Sequence, residues 1–267
     1  MRSLSVGHAL QRRQSRSPAL GAASLILVVV VWQIATGSNN SPYAILPSPS
    51  SIFAALMRPG PNAVQLITEL PSDIALTVSH ALLGLALGFA TGLPTGLAMS
   101  RWRSVKAMLD PYVTAFNALP RIALLPILVI AFGFGSLPGL MLIWSAAFVV
   151  VVLNTVVGVR SVQQTYVDHV RVLGASSIQV TLLVVMPTIL PWLIAALRLG
   201  IGFAFTTAIL AETSGVNAGL GYLLVWYEGQ AFAPGEFLVV ALVTVLALIL
   251  DGAIGGVQWL AVHWPTR

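Results

Sequence analysis

Between Arg121 and Arg160 the chain runs for 38 residues without a charged side chain. About 20 apolar residues in a helix cross the hydrocarbon core of a bilayer. This run is therefore too long for one crossing. It breaks at Gly133-Phe-Gly-Ser-Leu-Pro-Gly139, a turn by composition. Charge-poor runs of crossing length recur at residues 19–36, 74–100, 188–211 and 237–262, the last two holding Arg198 and Asp251. Over the 267 residues, 57% are hydrophobic and 8% charged, where a soluble domain carries roughly 25% charge. That balance excludes an ordinary water-soluble globule and a disordered chain. The formal charge of +5 comes from 13 basic residues against 8 acidic ones, so their placement carries the information. Cysteine is absent, which removes disulfides, thiolate nucleophiles and thiolate metal sites.

Six membrane spans are expected. Residues 19–36 are long for a signal-peptide core and lack a small-x-small cleavage site, so they read as a retained first span. The second span is 74–100. The third must begin near Tyr112 to be long enough, which puts Arg121 inside it, between Pro120 and Pro126. The fourth covers about 139–158, the fifth 188–211 and the sixth 237–262. Residues 172–187 are also uncharged, but Ser176, Ser177, Gln179 and Thr181 are polar, and Pro187 and Pro191 leave no loop for a reversal. With the N-terminus inside, Arg2, Arg12, Arg13, Arg16, Arg101, Arg103, Lys106, Arg160, Arg171 and Arg267 face the cytoplasm and only Arg58 faces out. Basic loops stay on the cytoplasmic side. The expected layout is a cytoplasmic segment 1–18, a first helix 19–36, an external loop 37–73, a five-helix core 74–262 and a cytoplasmic end 263–267. Both termini are then cytoplasmic, and the basic N-terminus is a topology signal rather than a nucleic-acid site.

Two polar segments are too organised for plain connectors. Residues 160–187, on the cytoplasmic side, read as two short helices joined at Gly174, with Val167, Val170, Leu173 and Ile178 on one face. Such a pair serves either as an interfacial anchor or as a knob for a partner's groove. Residues 212–235, on the outer side, hold Gly215, Gly219, Gly221 and Trp226-Tyr227. They read either as an aromatic-anchored loop or as an outer gate or docking surface.

The cytoplasmic segment resembles the loop of ATP-binding-cassette importer permeases, which reads Glu-Ala-Ala, three residues, Gly, nine residues, Ile-x-Leu-Pro. Here Asp168-His169-Val170 stand at Glu-Ala-Ala, Gly174 follows three residues on, and Val184-Val-Met-Pro187 follows nine later. His169 and Val170 replace the two alanines. Leu46-Pro-Ser-Pro-Ser50, Leu109-Asp-Pro111, Asn117-Ala-Leu-Pro-Arg-Ile-Ala-Leu-Leu-Pro126, Asn154-Thr155, Leu197-Arg198-Leu-Gly200, Ala211-Glu212 and Gly219-Leu-Gly-Tyr222 extend the likeness over nearly the whole chain. The set is similar to the nitrate, sulfonate and taurine branch. The resemblance implies an all-α membrane protein with the type I importer permease fold, in a bacterial inner membrane. It implies a second copy of the chain, a cytosolic ATPase dimer carrying ATP and Mg, and an external solute-binding protein, with no cofactor on this chain. It assigns coupling to Asp168, His169, Val170, Arg171, Leu173, Gly174, Ala175, Ser176 and Pro187.

Charges at membrane depth must face protein, water or a partner charge. Arg121, Arg198, Asp251 and Glu212 are thus candidates for the pathway, with an Arg198–Asp251 pair as the plainer reading. His80 is expected to be a packing residue. Gly84, Gly88, Gly92 and Gly96 share one helical face, a seam for close helix packing with a subunit contact as one use. No phosphate-binding loop is present and Lys106 is the sole lysine, so ATP chemistry is not expected here. A self-contained secondary transporter would show inverted repeats around a midplane site. A membrane transferase would need polar residues clustered at one depth. Neither pattern is found.

Overall fold

Long apolar runs in lipid must satisfy their own backbone groups, and helices do so within one segment. The computed structural model describes residues 18–37, 45–57 and 63–261, and among these the regular structure is entirely helical. In chain order the helices are α1 Pro18–Thr36, α2 Pro49–Met57, α3 Ala63–Arg101, α4 Arg103–Ala118, α5 Arg121–Phe132, α6 Ser136–Arg160 and α7 Gln164–Val172. Then follow α8 Ser177–Val180, a π-helical turn Thr181–Val185, α9 Met186–Gly215, α10 Leu220–Gly229 and α11 Ala233–Ala261. Two compact units divide the chain: residues 1–59 with 227–238, and residues 60–226 with 239–267.

In the first unit, Gln33 ties α1 to α2: its side-chain oxygen accepts from Ser50 N and its amide donates to Ser50 Oγ, both at 3.0 Å. Trp32 packs its ring against Phe237 at 6.1 Å.

The second unit is built around α6. Leu142, Ala146, Val149, Val151, Val152 and Thr155 on it are shut off from solvent. The glycine seam of α3 lies against this helix. A Cβ at Gly84 would overlap Ile143, one at Gly88 would overlap Ala147, and one at Gly96 would lie 2.6 Å from Thr155 Cβ. The seam is therefore used within the chain, where missing side chains let two backbones approach. On the other side, Ile201, Ala204, Phe205 and Ala208 of α9 join Ala81, Leu85, Ile143 and Ala147 in one apolar cluster, edged by Val243, Leu246 and Leu250 of α11.

Two sequence expectations are corrected. The third span is not one straight helix through Arg121. α4 and α5 are bent by 102° at Leu119-Pro120, and Arg121 opens the second arm. Proline disfavours the helical conformation in the residue before it, and Leu119 is extended at φ −66°, ψ 129°. Second, the polar stretch after Gly174 is not a separate short helix. Ser177–Ser214 forms one helical rod of crossing length, 38 residues long. Pro187 has no N–H to give the carbonyl four residues back. The chain widens there by one π turn, in which Met186 N donates to Thr181 O. Among the described residues four helices are long and apolar enough to cross a bilayer, or five if the bent pair is one span, while Leu20–Thr36 is a shorter apolar helix.

Candidate functional site

The cytoplasmic segment forms a sharp elbow built by local bonds. α7 is closed off by Gly174, two residues past its end, whose φ of +87° is open to glycine and strained for other residues. No atom lies within 4 Å of a Cβ placed there, so the requirement is torsional rather than spatial. Ala175 N donates to Val170 O at 3.2 Å and Gly174 N donates to Arg171 O at 2.9 Å. This is the paired Schellman closure of a helix C-terminus. Two residues later Ser176 starts the next helix with a reciprocal capping box. Ser176 N donates to Gln179 Oε1 at 2.7 Å and Gln179 N donates to Ser176 Oγ at 3.3 Å. The elbow is thus capped on both sides.

Its inner face is apolar and packed: Val167, Val180 and Val184 are buried, with Val162, Val170 and Ala175 against them. Leu173 and Ile178 do not share that face, contrary to the helical-wheel expectation. Val172 is 87% exposed and Leu173 85%, at the very tip, and Ile178 also points outward. Asp168, His169 and Arg171 are exposed on α7, with Asp168 accepting from Gln164 Nε2 at 3.0 Å. Pro187 lies beyond the π turn, as the second residue of α9. The doubly capped corner thus presents an uncovered apolar tip.

Glu212 sits in a second, buried constellation. It is 2% exposed. Its Oε2 accepts from Thr77 Oγ1 at 2.8 Å and from Gly221 N at 3.0 Å, and His80 Nδ1 lies 3.7 Å from Oε1. Thr77 Oγ1 in turn accepts from Leu220 N at 2.9 Å, and Asp73 Oδ1 accepts from Gly219 N at 2.7 Å. Three successive backbone N–H groups at the start of α10 are therefore held by side chains of α3 and α9. A helix N-terminus leaves such donors unpaired and favours negative charge. Glycine is needed at position 219: φ is +99°, and a Cβ would lie 2.5 Å from Glu212 Cδ. This latch was not legible as a unit. The signals lay apart: a polar stripe of Asp73, Thr77 and His80 at helical spacing in an apolar run, and the Ala211-Glu212 and Gly219-Leu-Gly-Tyr222 motifs.

In the outer segment Tyr227 is buried and meets the ring of Phe232 at 5.7 Å. Burial pushes its phenol up from 10.0 to about 12. It is a packed residue rather than an exposed anchor.

Of the remaining charges at depth, Arg198 and Asp251 form a two-pronged pair, Nε to Oδ1 at 2.8 Å and Nη2 to Oδ2 at 3.1 Å. Their side chains stay 42% and 41% exposed. Arg121 stands over the ring of Phe203 at 5.4 Å, a cation–π contact. The four candidates do not converge: Glu212 is in the latch, Arg198 and Asp251 are in their own pair, and Arg121 is at the break. Among the described residues no three His, Asp or Glu side chains gather to hold a metal.

Residues 84–257 match the family described as the binding-protein-dependent transport system inner membrane component. The chain belongs to this permease family. Among its curated relatives is the Escherichia coli taurine transport permease TauC, 32% identical over 94% of this chain and 91% of that protein. The E. coli permease SsuC, named putatively for aliphatic sulfonates, is 30% identical over 81% of this chain and 80% of its own length. The Chloroflexus aurantiacus riboflavin permease RibX is 29% identical over 92% and 91%. An inward-facing structure of the methionine transporter MetNI matches at a TM-score of 0.66 and 18% identity, over 74% of this permease and 99% of that chain. The expected family and its taurine and sulfonate branch are both found.

Proposed function

We propose that two copies of this permease enclose a path for a small organic anion of the sulfonate class. Each copy spans the inner membrane of a bacterium six times with both ends in the cytoplasm. A cytosolic ATPase dimer binds ATP and Mg, and an external solute-binding protein delivers the cargo. The observation that carries this reading is the elbow at residues 164–180, with its uncovered Val172 and Leu173 on a fixed corner. A cleft on the ATPase that receives this tip moves it as a rigid lever when ATP closes the ATPase dimer. The helix from Ser177 to Ser214 is continuous with the elbow, so displacement passes directly into a spanning segment and switches the path between its two faces.

The exposed Arg198–Asp251 pair supports a two-copy assembly. An ion pair at membrane depth is costly unless water or protein covers it, and a second copy or the path itself supplies that cover. The sulfonate class rests on the taurine and aliphatic sulfonate relatives. With a riboflavin permease also among the relatives, this reading assigns the choice among solutes to the binding protein.

The test uses the complete transporter in liposomes. Gly174→Pro removes the N–H that closes α7 and cannot adopt the positive φ; Asp168→Lys reverses the charge at the motif's acidic position. In both, ATP hydrolysis is expected to continue while solute uptake collapses. Coupled uptake at the original rate in both variants refutes the assignment.

A further inference from the structure

Where α3 ends beside α7, the fold leaves a cavity of about 170 Å³. Its polar wall is Arg101, Arg171, Gln164, Ser177 and Thr181; five valines make up the rest. No carboxylate lines it. Among the described residues neither guanidinium has a carboxylate partner. Asp168, the acid on α7, is outside the wall and bonded to Gln164. Two arginines from segments 70 residues apart in sequence thus border one small recess against an apolar wall, with no counter-charge. Like charges held in this way favour an anion between them, and guanidinium groups match phosphate oxygens in paired hydrogen bonds. The level is also informative. Trp102, exposed between Arg101 and Arg103, is the kind of ring that sits among lipid headgroups. Basic recesses between helices at the cytoplasmic surface take anionic headgroups.

We propose that this cavity binds a phosphate group, supplied by the headgroup of an anionic phospholipid of the inner leaflet. The bound phosphate ties Arg101, the last residue of α3, to Arg171 on the elbow. It thereby makes the lever's stiffness depend on lipid charge. That consequence rests on the coupling role proposed above; the binding does not.

The test uses the full-length permease, purified without its ATPase, in phosphatidylcholine nanodiscs titrated with phosphatidylglycerol. Retained lipid is counted by native mass spectrometry. A parallel arm adds inorganic phosphate to discs of phosphatidylcholine alone and reads thermal unfolding. Arg101→Gln or Arg171→Gln is expected to weaken phosphatidylglycerol retention by about tenfold, and the double variant to abolish it. Arg103→Gln, outside the wall, leaves retention unchanged, and Arg101→Lys retains part of it, which separates the site from general charge. Arginine-dependent stabilisation by inorganic phosphate without lipid retention keeps the phosphate site and replaces its source by the free ion. Equal lipid retention in the unaltered and double-variant proteins, with no arginine-dependent response to phosphate, overturns the proposal. Because binding is read on the permease alone, this result is independent of uptake measurements on the full transporter.

Discussion

The elbow and the latch both fix the end of a helix, and they do so by opposite means. The elbow's bonds run between residues at most five apart, and its charged groups are exposed. The latch joins Thr77 to Glu212, 135 residues away, and Asp73 to Gly219, 146 away, in the buried interior. A local, exposed corner can move as a body without unfolding anything. A buried network cannot be opened without leaving donors and acceptors unpaired, each costing about 1–3 kcal/mol. On the coupling role proposed above, motion belongs to the first region and stability to the second.

The strongest challenge to that division is Gly219→Val. A β-branched side chain would meet both the positive φ and the Glu212 carboxylate. The expected loss is about 3 kcal/mol or more, seen as a large drop in the thermal midpoint of the detergent-solubilised permease. Thr77→Val is next. It leaves Leu220 N–H without its acceptor and removes a donor to Glu212, at about 2 kcal/mol. Combined with Glu212→Gln, the loss should fall short of the sum, because the two share one network.

Gly174→Ala sharpens the other side. With open space around the site, only the torsional term remains, about 1 kcal/mol. Coupled uptake should nevertheless fall more than stability does. Ser176→Ala is the smallest, about 0.5–1 kcal/mol from the lost cap. If Gly174→Ala lowered the thermal midpoint as much as Thr77→Val, the elbow would be part of the buried framework and the contrast would fail.

The sequence by itself determined what short-range forces decide. Charge-free runs set the helical membrane class, since lipid offers no partner to an open backbone. The spacing from Asp168 through Gly174 to Pro187 identified the family segment, and Gly174 marked the turn because its torsion is a property of one residue. The glycine spacing on α3 announced close packing but left the partner unnamed.

Tertiary structure decided the rest. It set α6 against the glycines, turned the third span by 102° at Leu119-Pro120, and made one rod of the segment from Ser177. It also gathered Asp73, Thr77 and Glu212 on the start of α10. The physical reason is reach. A cap or a positive φ is settled within a few residues. A buried carboxylate finds its donors only after helices far apart in sequence have packed.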